Sequence, residues 1–282
     1  MPLTLQQRIR EFYDASSGLW ETVWGEHMHH GYYGPDGNIQ KDRYQAQVDL
    51  IEELLRWSHI QSASQVLDVG CGIGGTTLYL AEKFGASATG ITLSPVQANR
   101  ARERAISHGI DARFDVADAL AMPFEDESFD LVWSLESGEH MPDKAQFIKE
   151  CCRVLKPGGR FVMAVWCHRP TDSSSGGVLT DDERRHLEKI YQVYCLPYVI
   201  SLPDFVAIAE DLPLRDIDTA DWSTAVSPFW SEVIASAISL SAVIGLIKAG
   251  PKTIQAALSM RLMQRGYACG LVRFGVLTAT RI

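Results

Sequence analysis

The chain has 282 residues and a formal net charge of −9, and these two quantities already restrict its function. Hydrophobic residues make up 46% and charged residues 22% of the sequence, an ordinary balance for a globular protein. The length allows one large domain with an elaboration, or two small domains. The acidic balance argues against a nucleic-acid partner, because binding to a phosphate backbone normally requires a basic patch.

The class of protein is restricted further by the cysteines, the histidines and the amino-terminal segment. The six cysteines contain no C-x-x-C pair and are typical of reduced thiols in a reducing compartment. His27, His29 and His30 form the densest group of metal-ligating types, but no carboxylate or thiol stands at helical spacing from them, so we predict no metal. Residues 1–16 lack the apolar core of a signal peptide and indicate an amphipathic helix.

The first half of the chain alternates between short apolar strands and helices. Residues 65–84 predict a strand that ends at Val69, a glycine turn over 70–75, and a helix from Thr76 to Phe84. Further strands are predicted over 87–94, 112–116, 128–135 and 159–167, with helices over 94–109 and 143–155. This alternation is typical of an α/β fold, a Rossmann-like, doubly wound, mostly parallel sheet with helices on both faces.

The second half of the chain interrupts this alternation. Helices are predicted over 181–194 and 202–210, a strand over 214–219, and a final strand over 271–282. The run from Val233 to Ile247 carries no charge, but it is shorter than the roughly twenty apolar residues of a membrane span. We therefore predict an amino-terminal helical cover (1–60), a Rossmann-like core (61–225 and 266–282) and a helical lid (226–265) inserted before the last strand.

The glycine turn predicts a nucleoside site. Gly70, Gly72 and Gly75 fit the G-x-G-x-x-G pattern, which by itself does not distinguish a nicotinamide cofactor from another nucleoside. Asp68 ends the preceding strand and suits a cationic or hydroxylated ligand, unless it caps the loop backbone. A dinucleotide enzyme places an acidic residue about twenty positions further on, and this chain has Thr92 there.

Several motifs, taken in order, resemble the class I S-adenosylmethionine-dependent methyltransferases. They are VLDVGCGIGG at 66–75, the loop at 92–97, VADA at 116–119, FDLVWSLESGEHM at 129–141 and RVLKPGGRFVMA at 153–164. The resemblance implies S-adenosyl-L-methionine as the cofactor. The residues that it implies for cofactor binding are Tyr13, Tyr33, Asp68, Gly70, Cys71, Gly72, Thr92, Leu93, Gln97, Ala117, Asp118, Ala119 and Ser134. Among them, Thr92, Leu93 and Gln97 are expected at the ribose and adenine, and Asp118 at the adenine amino group.

Within that class the chain is similar to the tocopherol O-methyltransferase group over nearly its whole length. The matching strings lie at 12–33, 134–144, 165–169, 221–230 and 271–275. The group acts on a ring carbon of gamma- and delta-tocopherol despite its name. The resemblance therefore implies a small hydrophobic acceptor. The expected location is either plastid or thylakoid-associated, or cytoplasmic.

Ring-carbon methylation predicts a base near the acceptor, because a phenol with a pKa of about 10 must lose its proton before the ring becomes nucleophilic. Glu136, Glu139 and His140 follow the fourth strand, where ligands of such sheets bind. We expect His140 to be the base, with Glu136 or Glu139 orienting it. The alternative is that Glu139 and His140 cap the next turn while the carboxylates balance the sulfonium charge. The amino-terminal string offers rival candidates for the base in Tyr13, His29, His30 and Tyr33, but Tyr13 and Tyr33 are expected to cover the cofactor.

The acceptor site is predicted to be apolar and aromatic. Its predicted residues are His29, Trp166, His168, Phe229, Trp230 and Ile234. The charge-free run from Val233 to Ile247 is also typical of a surface that contacts lipid, so peripheral membrane association is expected, and a homodimer is allowed.

Three other functions stay open at this point. Relatives with this architecture include N-methyltransferases of monoterpene indole alkaloids, and an amine acceptor needs less activation than a phenol. A nicotinamide oxidoreductase is disfavoured by Thr92 and by the LKPGG turn at 155–159. A cofactor-binding protein without catalysis satisfies the same spacing.

Overall fold

The structure, a computed structural model, describes residues 3–237 and 251–282. The helices described there are α1 (Leu5–Trp24), α2 (Arg43–Trp57), α3 (Gly75–Phe84), α4 (Pro95–His108), α5 (Lys144–Val154), α6 (Asp181–Tyr194), α7 (Leu202–Glu210), α8 (Ser223–Val226), α9 (Pro228–Ala237) and α10 (Pro251–Ala268). The strands are β1 (Gln65–Val69), β2 (Ser87–Thr92), β3 (Ala112–Val116), β4 (Phe129–Leu135), β5 (Leu155–His168), β6 (Leu214–Asp221) and β7 (Val272–Arg281).

The strands form one sheet in the order β3-β2-β1-β4-β5-β7-β6. The pairs β3–β2, β2–β1, β1–β4 and β4–β5 are parallel, whereas β7 runs antiparallel to both β5 and β6. The predicted α/β fold with a mostly parallel sheet is therefore confirmed. The strand order reverses between β1 and β4, and ligands of such sheets bind beyond the carboxyl ends of the strands at this point.

Local sequence signals account for most helix and strand boundaries. Ser94 caps α4 by accepting a hydrogen bond from the backbone N–H of Gln97, and Pro95 occupies the first helical position. Asp143 caps α5 in the same way, through the N–H of Gln146. The fifth strand begins at Leu155, earlier than the predicted residue 159, because Leu155 already pairs with Phe129 across an irregularity in the ladder.

Both faces of the sheet are buried, because successive strand residues point to opposite sides. On one face, Val66 and Trp133 pack with residues of α2, α6 and α9 in one hydrophobic cluster. On the other face, Leu67 and Val132 pack with residues of α5 and α7 in a second cluster. This arrangement is the one expected of a doubly wound sheet.

The helices before β1 and between β6 and β7 overlap the segments predicted as a cover (1–60) and a lid (226–265), but α8 begins at Ser223, before the predicted lid. Helices α1 and α2 precede β1, and α8, α9 and α10 lie between β6 and β7. The division into three parts stays a prediction. Most of the charge-free run, residues 238–247, lies outside the described residues, so membrane association also stays a prediction. Within the described ranges, no helix has the length and apolar character needed to cross a membrane.

Candidate active site

The glycine turn after β1 exposes backbone to a pocket. Gly70, Gly72 and Gly74 have φ values of 83°, 53° and 87°, in the left-handed region that favours glycine. A Cβ atom on Gly70 would lie 2.2 Å from the Cβ atom of Ser137, whereas one on Gly72 would meet only the Met28 Sδ atom at 3.8 Å. Helix α3 starts at Gly75 without a side-chain cap. The turn therefore offers open backbone and first-turn amide groups to a ligand.

A first pocket of about 820 Å³, including its open mouth, lies over this turn, and we call it the cofactor pocket. The predicted residues that line it are Tyr13, His29, Asp68, Gly70, Cys71, Gly72, Thr92, Leu93, Gln97, Glu136 and His140. Helix α1 and the segment after it add Ile9, Arg10 and Met28 to the wall. The amino-terminal segment thus covers the carboxyl ends of β1, β2 and β4.

Asp68 is buried in the wall of this pocket. The Thr77 hydroxyl donates a hydrogen bond of 2.6 Å to Asp68 Oδ2. Burial raises the pKa of Asp68 to about 7, although the hydrogen bond from Thr77 acts in the opposite direction. A cation bound at this wall favours the ionised carboxylate. The residue therefore fits a positively charged ligand, as the sequence predicts.

The loop after β2 supplies neutral polar groups where a dinucleotide enzyme has an acid. The Thr92 hydroxyl donates to Gln97 Oε1 at 2.7 Å, and the Ser94 hydroxyl donates to Asp14 Oδ1 of α1 at 2.5 Å. Thr92, Ser94 and Gln97 all line the cofactor pocket. The loop is therefore tied directly to the helix that covers the pocket.

Several predicted cofactor residues lie away from the pocket wall. Ala117, Asp118 and Ala119 do not line it, and Asp118 accepts hydrogen bonds from the Gln6 side chain at 2.6 Å and from the Leu120 N–H at 3.0 Å. Its carboxylate therefore anchors α1 in this structure, and its predicted contact with an adenine amino group stays a prediction.

Ser134 and Tyr33 are displaced from their predicted positions. Ser134 hydrogen-bonds the Ser137 hydroxyl at 2.7 Å and lies behind the wall. Tyr33 is buried, and its backbone N–H donates to the carbonyl of Ala225 in α8. The prediction that Tyr33 covers the cofactor is wrong, because the chain turns away towards α8 before it reaches this residue.

A second pocket of about 430 Å³ adjoins the first, and we call it the acceptor pocket. Its lining is mostly aromatic and consists of Phe12, Tyr13, Trp24, Met28, Glu136, Glu139, His140, Trp166 and Tyr194. Tyr13, Met28, Glu136 and His140 also line the cofactor pocket, so these four residues form the boundary between the two spaces. A ligand in each pocket would meet the other at this boundary.

Glu136 is fixed in the boundary by three donors. The His30 backbone N–H donates to Oε1 at 2.6 Å, while the His30 Nδ1–H and the Trp166 Nε1–H donate to Oε2 at 2.8 and 2.9 Å. Burial alone would raise the pKa of Glu136, but the charge and hydrogen bonds of His30 hold it below the usual value. The carboxylate is therefore ionised, and His30 and Trp166 hold it in place.

His140 is held by a tyrosine instead of a carboxylate. The Tyr13 Oη and His140 Nε2 atoms are 2.7 Å apart, and among the described residues no group hydrogen-bonds to His140 Nδ1. Burial lowers the pKa of His140 to about 3, so the imidazole is neutral at pH 7 and carries a nitrogen lone pair. The prediction that Glu136 orients His140 is wrong, because the oxygens of Glu136 bind His30 and Trp166.

Glu139 is the second carboxyl group of the acceptor pocket. Its Oε2 atom is buried and has no hydrogen-bond partner in the described part of the chain, so the prediction that it orients His140 is also not met. Burial, aided by the charge of Glu136, raises the pKa of Glu139 to about 8. Asp143 caps α5, and the alternative in which Glu139 and His140 cap the next turn stays a prediction.

The predicted acceptor residues divide into those in a wall and those behind it. Trp166 lines the acceptor pocket, whereas His29 lines the cofactor pocket and hydrogen-bonds the His30 carbonyl through Nδ1 at 2.8 Å. Phe229 and Trp230 are fully buried and pack against the His30 ring at centroid distances of 5.1 and 5.0 Å. They support the wall from behind.

The two remaining predicted acceptor residues lie elsewhere. His168 lies at the end of β5, where its Nδ1 atom meets the Arg169 carbonyl at 2.6 Å. Ile234 is half-buried against the hydrophobic cluster on the α2 side of the sheet. Neither residue lines one of the two pockets.

Three residues that support the site were not predicted. His30 fixes Glu136, Ser137 donates to the Val69 carbonyl at 2.6 Å beneath the glycine turn, and Lys144 donates to the carbonyls of Gly138 and Glu139. The sequence indicated His30 only as a candidate metal ligand and as a rival candidate for the base. Ser137 and Lys144 are polar residues inside the matched string 134–144, and this position was the sequence feature that could have identified them.

The remaining side chains of interest are the cysteines and the types that bind metals. All six cysteines are free thiols. Within the described ranges, no group of three or more His, Cys, Asp or Glu side chains is arranged to hold a metal ion.

Comparisons with known proteins identify the family. Residues 67–163 match the model of a methyltransferase domain. The chain is 47% identical to the chloroplastic tocopherol O-methyltransferase of Arabidopsis thaliana, over 98% of this chain and 82% of that protein. It is 36% identical to norajmaline N-methyltransferase of Rauvolfia serpentina, over 98% of both chains.

A solved structure agrees with the fold. A protein from Galdieria sulphuraria, described as a putative sarcosine dimethylglycine methyltransferase, superposes with a TM-score of 0.81 at 26% identity, over 95% of this chain and 98% of that one. The open glycine turn, the carboxyl of Asp68 and the neutral Thr92 loop fit a cationic nucleoside such as S-adenosylmethionine. The chain is an enzyme of the class I S-adenosylmethionine-dependent methyltransferases and belongs to their tocopherol methyltransferase group.

Proposed function

We propose that this methyltransferase acts on an aromatic ring carbon of a prenylated phenol, and that it converts gamma- and delta-tocopherol to alpha- and beta-tocopherol in vitamin E biosynthesis. The acceptor pocket is the observation that carries the proposal. Aromatic side chains form most of its wall, and Tyr13, Glu136 and His140 stand on the side that it shares with the cofactor pocket, with Glu139 next to His140. Such a site suits a flat apolar ring with one polar substituent.

The residues at the boundary supply the proton transfer that a phenol needs. Removal of the hydroxyl proton moves electron density onto the ortho carbon, and a positioned base is worth about a hundredfold to ten-thousandfold in rate. The neutral imidazole of His140 is the proposed base, although its lowered pKa makes it a weaker proton acceptor than an exposed histidine. In the tautomer that we propose, Nε2–H donates to Tyr13 Oη, and the lone pair on Nδ1 is left for the acceptor. When bound, the cofactor supplies an electrophilic methyl group on a sulfonium.

An N-methyltransferase of indole alkaloids is the second candidate, because the chain resembles norajmaline N-methyltransferase over its full length. An amine already carries a lone pair and needs no phenol deprotonation. The two candidates therefore differ in how strongly the reaction depends on His140.

Methyl transfer from labelled cofactor to gamma-tocopherol, beside transfer to norajmaline, tests the proposal. We expect labelled tocopherol, a loss of about a hundredfold to ten-thousandfold in kcat for His140→Gln, and no change for His108→Gln, which alters an exposed histidine on α4. Labelled alkaloid without labelled tocopherol contradicts the proposal. Full turnover of tocopherol by His140→Gln contradicts the assignment of the base.

The location is part of the same proposal. The Arabidopsis relative is named as chloroplastic, which supports a plastid location for this enzyme. Co-fractionation of the full chain with plastid membranes or stroma tests it, and recovery in the cytosolic fraction alone contradicts it.

A further inference from the structure

Methylation of a phenol ring carbon requires two proton transfers at two different atoms. The hydroxyl oxygen must lose a proton before the ring attacks the methyl group. The attacked carbon then carries both the new methyl group and its original hydrogen, and that hydrogen must leave as a proton before the ring is aromatic again. Methylation of an amine requires no transfer of the second kind. This inference therefore rests on the proposed function and deepens it.

With His140 in the proposed tautomer, the acceptor pocket contains two proton-accepting atoms that have no hydrogen-bond partner in the described structure. They are His140 Nδ1 and Glu139 Oε2, both buried and both in side chains that line this pocket. Glu136, the other carboxylate of the pocket, is already bound to His30 and Trp166. Two transfers and two available acceptors therefore coincide in one enclosed space.

We propose that Glu139 is a second catalytic base, which removes the proton from the methylated ring carbon while His140 serves the phenol oxygen. Glu139 and His140 are neighbours in one short turn, Gly138–His140, and both side chains line the acceptor pocket. The two bases are thereby assigned to atoms that are two bonds apart in the phenol, the oxygen and the ortho carbon.

The hydroxyl proton moves to His140 Nδ1, and a pair of ring electrons forms the carbon–carbon bond to the methyl group, while the carbon–sulfur pair stays on sulfur. The resulting ring is a cyclohexadienone with an sp³ carbon. Glu139 Oε2 accepts the proton of that carbon, the C–H pair restores the aromatic ring, and the ketone oxygen regains the proton held by His140. One proton is released in total, from Glu139.

The surroundings of Glu139 suit this role. Burial and the negative charge of Glu136 raise the pKa of Glu139 to about 8, whereas Lys144 acts in the opposite direction. The ionised fraction of such a carboxyl group grows as the pH rises towards 8, and the ionised form is a stronger base than an ordinary carboxylate. Lys144 Nζ also donates to the backbone carbonyl of Glu139 at 2.8 Å, which fixes the residue that carries the base.

Gamma-tocopherol that carries deuterium at the ring position to be methylated tests the proposal directly. In the wild type, methyl transfer precedes C–H cleavage, and we expect little or no isotope effect on kcat. In Glu139→Gln, loss of the base should lower kcat by about a hundredfold to ten-thousandfold and make C–H cleavage limiting, so that a primary isotope effect appears. Glu139→Asp keeps the charge, withdraws the carboxylate by one methylene, and should show a smaller effect of the same kind.

Two comparisons separate this role from a structural one. His140→Gln should show no ring-deuterium effect and should be rescued by more acidic phenols, whereas Glu139→Gln should not be rescued in this way. Glu139 does not line the cofactor pocket, so the Kd of S-adenosylhomocysteine, measured by calorimetry, should not change in Glu139→Gln. Glu125→Gln, at an exposed position, is the control with unchanged kcat.

Normal turnover of Glu139→Gln or Glu139→Asp without an isotope effect overturns the proposal and leaves the proposed function standing. A primary isotope effect on kcat in His140→Gln also overturns it, because the roles would then not be divided. A wild type that methylates no phenol overturns the proposed function, and this inference with it.

Discussion

At the scale of single residues, Glu136 is a buried carboxylate whose charge is stabilised by hydrogen bonds from the protein. Its backbone has a φ of 53°, a conformation that costs a non-glycine residue roughly 1–3 kcal/mol, and its carboxylate is buried. Three hydrogen bonds from His30 and Trp166 offset both costs. The result is a permanent negative charge at the boundary of the two pockets, where it favours the binding of a cation.

Substitution of Glu136 is therefore expected to destabilise the fold. In Glu136→Gln, the amide NH2 group would face the donors of His30 and Trp166, so the free energy of unfolding should fall by about 1–3 kcal/mol or more. Urea unfolding at pH 7 measures this loss, with exposed Glu125→Gln as the control. Equal stability of the two variants would contradict the account.

The pH dependence follows from the same contacts. Because the folded-state pKa of Glu136 lies below its unfolded value, its ionised form stabilises the fold above the unfolded pKa. That contribution is lost as the pH falls through the lowered pKa. The difference between wild type and Glu136→Gln should therefore shrink at the acid end of the unfolding series.

At the scale of secondary-structure elements, the Gly138–His140 turn and the start of α5 act together. Lys144, the first residue of α5, is buried, and its ammonium group donates to the carbonyls of Gly138 at 3.0 Å and Glu139 at 2.8 Å. A cation at a helix amino terminus opposes the helix dipole, and burial lowers the pKa of Lys144 to about 8. These costs indicate that the contact serves to position the turn.

Loss of this contact should affect turnover more than cofactor binding. In Lys144→Met we expect kcat to fall by about tenfold to a hundredfold, since a displacement of about 1 Å near the reacting atoms can cost about a hundredfold. The Kd of S-adenosylhomocysteine should not change, because Lys144 does not line the cofactor pocket. Steady-state kinetics and calorimetry measure the two quantities.

Lys149→Met is the matched control, because Lys149 lies on the same helix and is exposed. Its kcat should equal that of the wild type. If Lys144→Met retains full kcat, or if it loses affinity for S-adenosylhomocysteine to the same extent as kcat, Lys144 does not act by positioning the turn.

At the scale of the whole molecule, the fold was predictable where the signals are local. Apolar strands such as β1, the Ser94–Pro95 start of α4 and the glycine turn each depend on neighbouring residues, and each lies close to its predicted position. The site was less predictable, because its decisive contacts join distant segments. His30 and Glu136 are 106 residues apart, and Tyr13 and His140 are 127 apart.

The errors have the same origin. Glu136, Glu139 and His140 follow β4 and line the acceptor pocket, as their position in the sequence indicated. Local spacing, however, does not specify which groups bond to each other. The sequence paired the carboxylates with His140, whereas α1 reaches across the sheet and supplies Tyr13 instead. Tyr33 was misplaced because the path of the chain between α1 and α2 has no local signal.

The central claim is that the acceptor is methylated on a ring carbon. The most direct test is the reaction of the wild-type enzyme with gamma-tocopherol and S-adenosylmethionine that carries ¹³C in the methyl group, followed by NMR of the product. We predict that the label appears as a methyl group on the aromatic ring, with the phenol hydroxyl intact. A label found as an aryl methyl ether, or no labelled tocopherol at all, would contradict the account.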